Sequence, residues 1–288
     1  MRVLVLGAAG MLGSAMVREL SNAGDDVIAS TRPGAKLPDG MASMAADLGD
    51  EAALSGLIAE AKPDAVVNCA GIVKQRADAD DAIANIMINA LLPHRLARLC
   101  ADHGARLVHI GTDCVFSGRP DAARGPRGYR ESDPADPADL YGRTKLLGEA
   151  TAERCLTLRM SLIGREPSGT GRGLVEWFLA ARSPVSGYER AQFNGVSTTV
   201  ASRLVRQCLH ENLDLSGLWH VGGEAITKLD LLRKIRDRAR PELQIEAVPG
   251  PSIDRRLDST ALETRIGWKA PDWNEMLDEL FDPALGSP

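Results

Sequence analysis

The sequence predicts an α/β protein: a doubly wound parallel sheet followed by a smaller C-terminal α/β lobe. Three observations carry this. Short apolar and β-branched runs alternate with helix-periodic stretches over the first 164 residues. The first run, Val3 to Leu6, has no polar gap, as a strand buried on both faces requires. Glycines at positions 7, 10 and 13 follow it directly and open a helical pattern.

That strand, turn and helix suit a dinucleotide. The turn must be tight, the backbone must approach a pyrophosphate, and the helix N-terminus offers free N–H groups and a positive dipole end. Gly7, Ala9, Gly10, Met11 and Leu12 are therefore candidate cofactor-binding residues. A glycine-rich βα turn without a ligand is the competing reading. A second strand over Asp26–Ser30 ends in Ser30-Thr31-Arg32, where an acidic residue would accept from a ribose 2′-hydroxyl. No acid stands there. Ser30 and Arg32 suit a 2′-phosphate, so NADP(H) is preferred over NAD(H), and a solvated loop arginine is the plain alternative.

A further short segment ends at Asp47-Leu48, where the carboxylate can meet an adenine amino group. A helix over 51–61 closes before Pro63. The next buried strand, 65–70, ends in small residues, of which Ala70 and Gly71 let a cofactor lie close. Residues 80–103 read as mostly helical, with Pro93 a kink or a new start and Asn89 a buried hydrogen-bonding post or a plain cap. Leu107–Ile110 is another strand, continuing into Gly111-Thr112-Asp113-Cys114-Val115-Phe116. Polar groups at the end of a parallel strand stand where ligands bind in open α/β sheets. Residues 117–139 form a long loop rich in Pro, Gly, Asp and Arg, a length usually associated with function.

A helix expected from Leu140 to about Glu153 carries Tyr141 and Lys145 one turn apart on one face. Leu156–Ile163 is a sixth β-like run. The composition then shifts, which suggests a nucleotide-binding domain over 1–164, with the sheet revisited near 195–223, and a substrate lobe over 165–288. In that lobe a polar loop spans 165–173, and a helix spans 174–182 with Trp177 and Phe178 expected in the core. Helices are expected near 198–212, 227–240 and 259–266, with a last one opening at Pro271-Asp272-Trp273, and 218–221 reads as a strand.

Composition bounds the partners. The 288 residues carry a formal net charge of −5 with no basic stripe, so nucleic acid is not expected. No apolar run reaches membrane-spanning length. Five scattered cysteines without a C-x-x-C pair read as reduced thiols of a cytoplasmic protein, and no metal site is expected. The first strand begins at once, with no room for a signal peptide.

Taken together, the chain resembles the extended short-chain dehydrogenase/reductases, whose sheet is Rossmann-type. The resemblance rests on Gly7-x-x-Gly10-x-x-Gly13, on Tyr141-x-x-x-Lys145 and on Thr112 ahead of them. Within that superfamily it resembles the dTDP-4-dehydrorhamnose reductases and related sugar-nucleotide reductases. Gly111 to Gly118 is similar to their Ser-Thr-Asp-Tyr-Val-Phe-Asp-Gly stretch, and Tyr141 to Glu149 to their Tyr-Gly-x-Ser-Lys-x-x-Gly-Glu helix. Leu257-Asp258-Ser259 and Pro271-Asp272-Trp273 are similar to their C-terminal signature. Gly111 and Cys114 depart from the usual Ser and Tyr.

The resemblance implies a catalytic set of Thr112, Tyr141 and Lys145, with Tyr141 and Lys145 also meeting the cofactor. It implies NADPH-dependent reduction of the 4-keto group of a nucleotide-linked 6-deoxyhexose. A UDP-linked 4-keto-6-deoxy-N-acetylhexosamine, an NAD-dependent epimerase or dehydratase, and a non-catalytic NADP-binding regulatory subunit are the alternatives. Lys145 and the oxidised nicotinamide together are expected to favour the phenolate, lowering the Tyr141 pKa by ~1–3 units. Asp113, Val115, Arg165, Phe193, Asn194 and Arg255 are the candidate substrate residues, and a homodimer is the expected assembly.

Overall fold

The computed structural model describes residues 1–35, 37, 41–121, 124–167, 173–182 and 184–282. In chain order it begins with β1 (Arg2–Leu6), α1 (Met11–Asn22), β2 (Asp26–Thr31) and β3 (Met44–Ala45). Then come α2 (Glu51–Ala61), β4 (Ala65–Asn68), α3 (Ala82–Asn85), a π-helical turn (Ile86–Leu91) and α4 (Leu92–Asp102). β5 (Arg106–Ile110), a 3₁₀ turn (Asp113–Val115), α5 (Leu140–Leu147), β6 (Cys155–Arg159) and β7 (Leu162–Ile163) follow. The remainder holds α6 (Leu174–Ala180), β8 (Val185–Tyr188), β9 (Ala191–Phe193), β10 (Val196–Ser197), α7 (Thr198–His210), β11 (Gly217–His220) and β12 (Ile226–Thr227). Last are α8 (Lys228–Ala239), β13 (Ile245–Val248), β14 (Ile253–Asp254), α9 (Thr260–Ile266) and α10 (Trp273–Leu280).

Seven strands form one sheet in the order β11-β6-β5-β4-β1-β2-β3. Every pair in it is parallel. The order reverses between β1 and β4, which opens a crevice at their C-terminal ends. Alternation along each strand divides the apolar residues between two cores. Val3 and Val5 face a core shared with α1 and α7, while Leu4 and Leu6 face one shared with α2 and α4. Each buried Leu or Val contributes roughly 1.5–3 kcal/mol. β11 comes from far along the chain, and Arg106 of β5 is tied to the same region. Its buried guanidinium donates to the carbonyls of Cys208, Asn212 and Leu215. Smaller sheets pair β7 with β10, β9 with β12 and β14, and β8 with β13.

Local signals match where caps decide them. Asp50 caps α2 by accepting from Ala53 N–H at 2.9 Å, and Thr227 with Asp230 starts α8. Asp272 and Glu275 form a capping box on α10. Pro93 sits in the first turn of α4, where its missing N–H costs nothing. Three expectations shift. The helix expected to run to Glu153 ends at Leu147, and Gly148 beyond it lies too close to the Asn89 carbonyl for a side chain. The run 156–163 splits into β6 and β7, and β7 leaves the main sheet to pair with β10. Trp177 is 44% exposed on α6, while its neighbour Phe178 is fully buried. Residues 168–172 of the expected 165–173 loop lie outside the described residues.

Candidate active site

The glycine turn sits at the crevice. Gly7 has φ of +73°, and a Cβ there would lie 2.9 Å from the Ala70 backbone. Only glycine meets both demands. Gly10 caps α1 without any side-chain bond, and the first turn holds no acid. The helix N-terminal N–H groups of Met11 and Leu12 are left facing the turn, the arrangement that binds a pyrophosphate. Leu12 itself packs into the core, and Ala9 and Met11 are half-buried.

Beyond the turn, Ser30 is 1% exposed and its hydroxyl has no hydrogen-bond partner. A buried orphan hydroxyl is costly unless a ligand completes it. Arg32 is exposed at the end of β2 and feels Asp78, which Arg76 holds in two bonds of 2.7 and 2.6 Å. Asp47 is exposed and accepts from Gly49 N–H at 2.9 Å, while Leu48 packs against the second core. Ala70 and Gly71 line the end of β4. Asn89, on the π-helical turn, holds the residue beyond them: it accepts from Ile72 N–H and donates to Ile72 O, both at 2.9 Å. It also reaches Thr144 on α5 at 3.4 Å. The buried post is therefore shown, and it joins the crevice to the helix carrying Tyr141 and Lys145.

At the end of β5, Thr112 caps the 3₁₀ turn. Its hydroxyl accepts from Cys114 N–H at 3.1 Å and donates to Asp113 Oδ1 at 3.2 Å. Thr112 also shares a hydrogen bond with the Tyr141 phenol. Asp139 caps α5 through Gly142 N–H at 2.8 Å and is paired with Lys74 at 2.6 Å. The Lys74 ammonium lies 5.5 Å from the Tyr141 ring centroid. Lys145 is buried, donates to Ile110 O at 2.7 Å, and lies 3.3 Å from His109 Nε2.

The Tyr141 phenol is held above its ordinary value, first by burial and then by Cys114 and the carboxylates of Asp113 and Asp139. The Thr112 hydrogen bond pulls the other way. Lys145 turns toward Ile110 O and His109 Nε2. Burial brings Lys145 down to about 8, against Glu149 and Cys69, which favour its charged form. Cys114 is pushed up to about 11 by burial and is a thiol.

Of the residues beyond 164, Phe193 and Arg255 reach this neighbourhood. Phe193 packs on Trp273 with ring centroids 5.5 Å apart, and the Lys228 ammonium sits 3.6 Å above its ring. Arg255 donates to Phe116 O at 2.9 Å and Ser117 O at 3.2 Å, and its charge reaches Cys114 and Asp139. Asn194 joins its amide to the Leu257 backbone in two bonds of 2.9 and 3.0 Å. Arg165 is paired with Glu176 at 2.6 Å. Val115 is fully buried with Phe116, Tyr129 and Leu257. Lys228, half-buried and close enough to Asp113 and Cys114 to feel their charge, was not singled out by sequence. Neither were Lys74 and His109. A histidine inside a fully buried strand was the one available signal.

Gly111 has a steric reason. A Cβ there would lie 3.2 Å from Arg159 Cα. Arg159 is buried and binds Glu149 at 2.6 and 2.8 Å, and donates to His220 Nε2 at 3.1 Å. His220 Nδ1 lies 3.0 Å from Tyr129 O and donates to it.

The model of the RmlD substrate binding domain matches residues 1–285. The chain belongs to that family. The RmlD-family chain is 37% identical over 149 residues to a dTDP-4-dehydrorhamnose reductase of Mycobacterium tuberculosis, covering 51% of this chain and 44% of that protein. It thus spans under half the length of that relative. The fold matches a dTDP-4-dehydrorhamnose reductase of Bacillus anthracis in complex with NADP, with a TM-score of 0.78 and 22% identity over 97% of this chain and 98% of that one. It equally matches a UDP-glucose 4-epimerase of Thermus thermophilus in complex with NAD, with a TM-score of 0.79 and 20% identity over 100% of both chains. Fold alone therefore does not separate reductase from epimerase. The sheet is the Rossmann-type doubly wound sheet expected.

Proposed function

We propose that this chain is an NADPH-dependent reductase of the 4-keto group of a nucleotide-linked 4-keto-6-deoxyhexose, with dTDP-4-dehydrorhamnose the first candidate. The observation that carries it is the joining of Thr112, Tyr141 and Lys145 at the end of β5, beside the glycine turn. The M. tuberculosis relative bears the same activity in its name. NADPH is the preferred cofactor, because Ser30 holds an unpartnered hydroxyl and Arg32 stands free of an ion pair among the described residues.

The residues divide the work. Bound NADPH would supply a hydride to the substrate carbonyl. Negative charge then develops on the carbonyl oxygen and needs a proton. Tyr141 is held protonated at neutral pH by burial and by its acidic neighbours, so it is a loaded donor. Thr112 orients the phenol and offers a second hydroxyl at the same point. Lys145 holds the cofactor ribose. Arg255 and Lys228 supply positive charge on the lobe side of the site, where a diphosphate would lie, and buried Phe193 supports Lys228 from beneath. Residues 1–164 with β11 act as the nucleotide domain and the remainder of 165–288 as the substrate lobe. We read the protein as cytoplasmic and dimeric.

The test is incubation with NADPH and a panel of 4-keto-6-deoxy nucleotide sugars, followed by loss of reduced cofactor. Stoichiometric loss is expected. An altered sugar without net loss would make it an epimerase. Tight cofactor binding without turnover on any sugar would make it a binding subunit.

A further inference from the structure

Behind Lys145 runs a line of buried hydrogen bonds whose direction is set at its far end. Ala70 N–H donates to Asn68 Oδ1 at 3.1 Å. The reverse orientation of the amide would set a donor against that N–H. Asn68 Nδ2 consequently faces His109 Nδ1 at 3.1 Å. An amide nitrogen only donates, so Nδ1 accepts, and the single proton of the neutral ring sits on Nε2. His109 is neutral: burial, then the charges of Lys145 and His94, hold it well below its ordinary value. Nε2 lies 3.3 Å from Lys145 Nζ.

An ammonium has three donors and no acceptor. Against Nε2–H it presents donor to donor. A neutral amine has a lone pair for that N–H and still donates to Ile110 O at 2.7 Å. We propose that His109, oriented by Asn68, is a positioning residue that favours the neutral amine of Lys145. This rests on the reading of Lys145 as part of the reductase site.

The other groups facing Lys145 do not supply this bias. Cys69, at the end of β4, and Glu149, beyond α5, both favour the charged form. Glu149 is engaged with Arg159 through both oxygens, which leaves it little to offer Lys145. Tyr141, one turn away on the same helix, is held protonated and carries no charge at neutral pH. Burial and His109 therefore act together. The functional consequence is a lysine whose charge responds to what enters the site, such as a cofactor ribose whose hydroxyls replace His109 as its partner.

The test uses the cofactor-free protein, so it does not depend on turnover. Nitrogen-15 spectra of the histidine-labelled chain report which ring nitrogen carries the proton, with the His109 signals assigned by their loss in His109→Gln. We expect a protonated Nε2 and a bare Nδ1 at neutral pH. A protonated Nδ1 with a bare Nε2 would overturn the proposal. The second measurement follows the Lys145 side-chain nitrogen as pH is raised, assigned by its loss in Lys145→Met. His109→Phe removes the opposing N–H at the cost of a somewhat larger ring, and should raise the Lys145 midpoint by about one pH unit. A midpoint that stays or falls would also overturn it. Failure to reduce any sugar would refute the proposed activity and leave both readouts standing.

Discussion

Replacing Tyr141 with phenylalanine removes one oxygen and keeps the ring beside Lys74. Thr112 loses its bond to the phenol but keeps those to Asp113 and Cys114, so no buried hydroxyl is orphaned. The fold should lose no more than one net hydrogen bond, roughly 0.5–1.5 kcal/mol. The transition state loses its proton donor, which is worth about 10²- to 10⁴-fold in kcat, or roughly 2.7–5.5 kcal/mol. The chemical loss therefore exceeds the structural one, and the two separate experimentally. NADPH consumption at saturating sugar should fall by that factor, while a fluorescence titration with NADPH should change little. Lys145→Ala should weaken both. Near-normal kcat in Tyr141→Phe on a confirmed substrate would refute the assignment and leave Tyr141 and Lys145 as neighbours on a helix face.

Arg32→Ala should weaken NADPH by about 10- to 150-fold, one charge-assisted contact of roughly 1.5–3 kcal/mol, and leave NADH nearly unchanged in the same titration. Equal weakening would remove Arg32 from the 2′-phosphate. Lys228→Met keeps the packing over Phe193 but loses the charge. It should raise the substrate KM with little change in NADPH affinity, and an unchanged KM would place Lys228 outside the sugar-nucleotide site. Burial first, then Arg159, brings His220 down to about 4 from its ordinary 6.5. Between those values the unfolded chain binds more protons, so stability is full above about pH 6.5 and falls as pH drops toward 4, by an amount on the order of 3 kcal/mol. His220→Gln should flatten that slope in urea unfolding at a series of pH values, and an equally steep slope would assign the loss elsewhere.

What the sequence disclosed, it disclosed through local rules. Thr227 and Asp272 announce helices because a cap is a bond within four residues. The glycine turn is legible because Gly10 and Gly13 press on Gly7 and Ala8 of the same turn, although Gly7 itself answers to Ala70 on the next strand. The Thr112 strand end and the Tyr141–Lys145 spacing are legible as local patterns too. The losses have one cause. Gly148, where α5 stops, has no room for a side chain because of a carbonyl on the π-helical turn, which no window around Gly148 contains. His109 matters through Asn68, its partner on the neighbouring strand. Lys228 feels the charge of Asp113, a residue far from it in sequence, only once the chain is folded. Asn194 and Arg255 were selected as polar residues in the right region, and the structure shows backbone carbonyls among their partners, which sequence does not display.

The late arrival of β11 also bears on how this chain is made. When β5 emerges from a ribosome, Arg106 carries a guanidinium destined for burial, yet its acceptors near Cys208 and Leu215 are about a hundred residues from being synthesised. The face of α1 that α7 covers waits as long. Residues 1–164 therefore cannot settle ahead of the rest, as an independent N-terminal domain would. Their final packing waits for closure between distant segments, and such contacts fold slowly. A truncation after residue 164 would expose this as aggregation before it could report on cofactor binding.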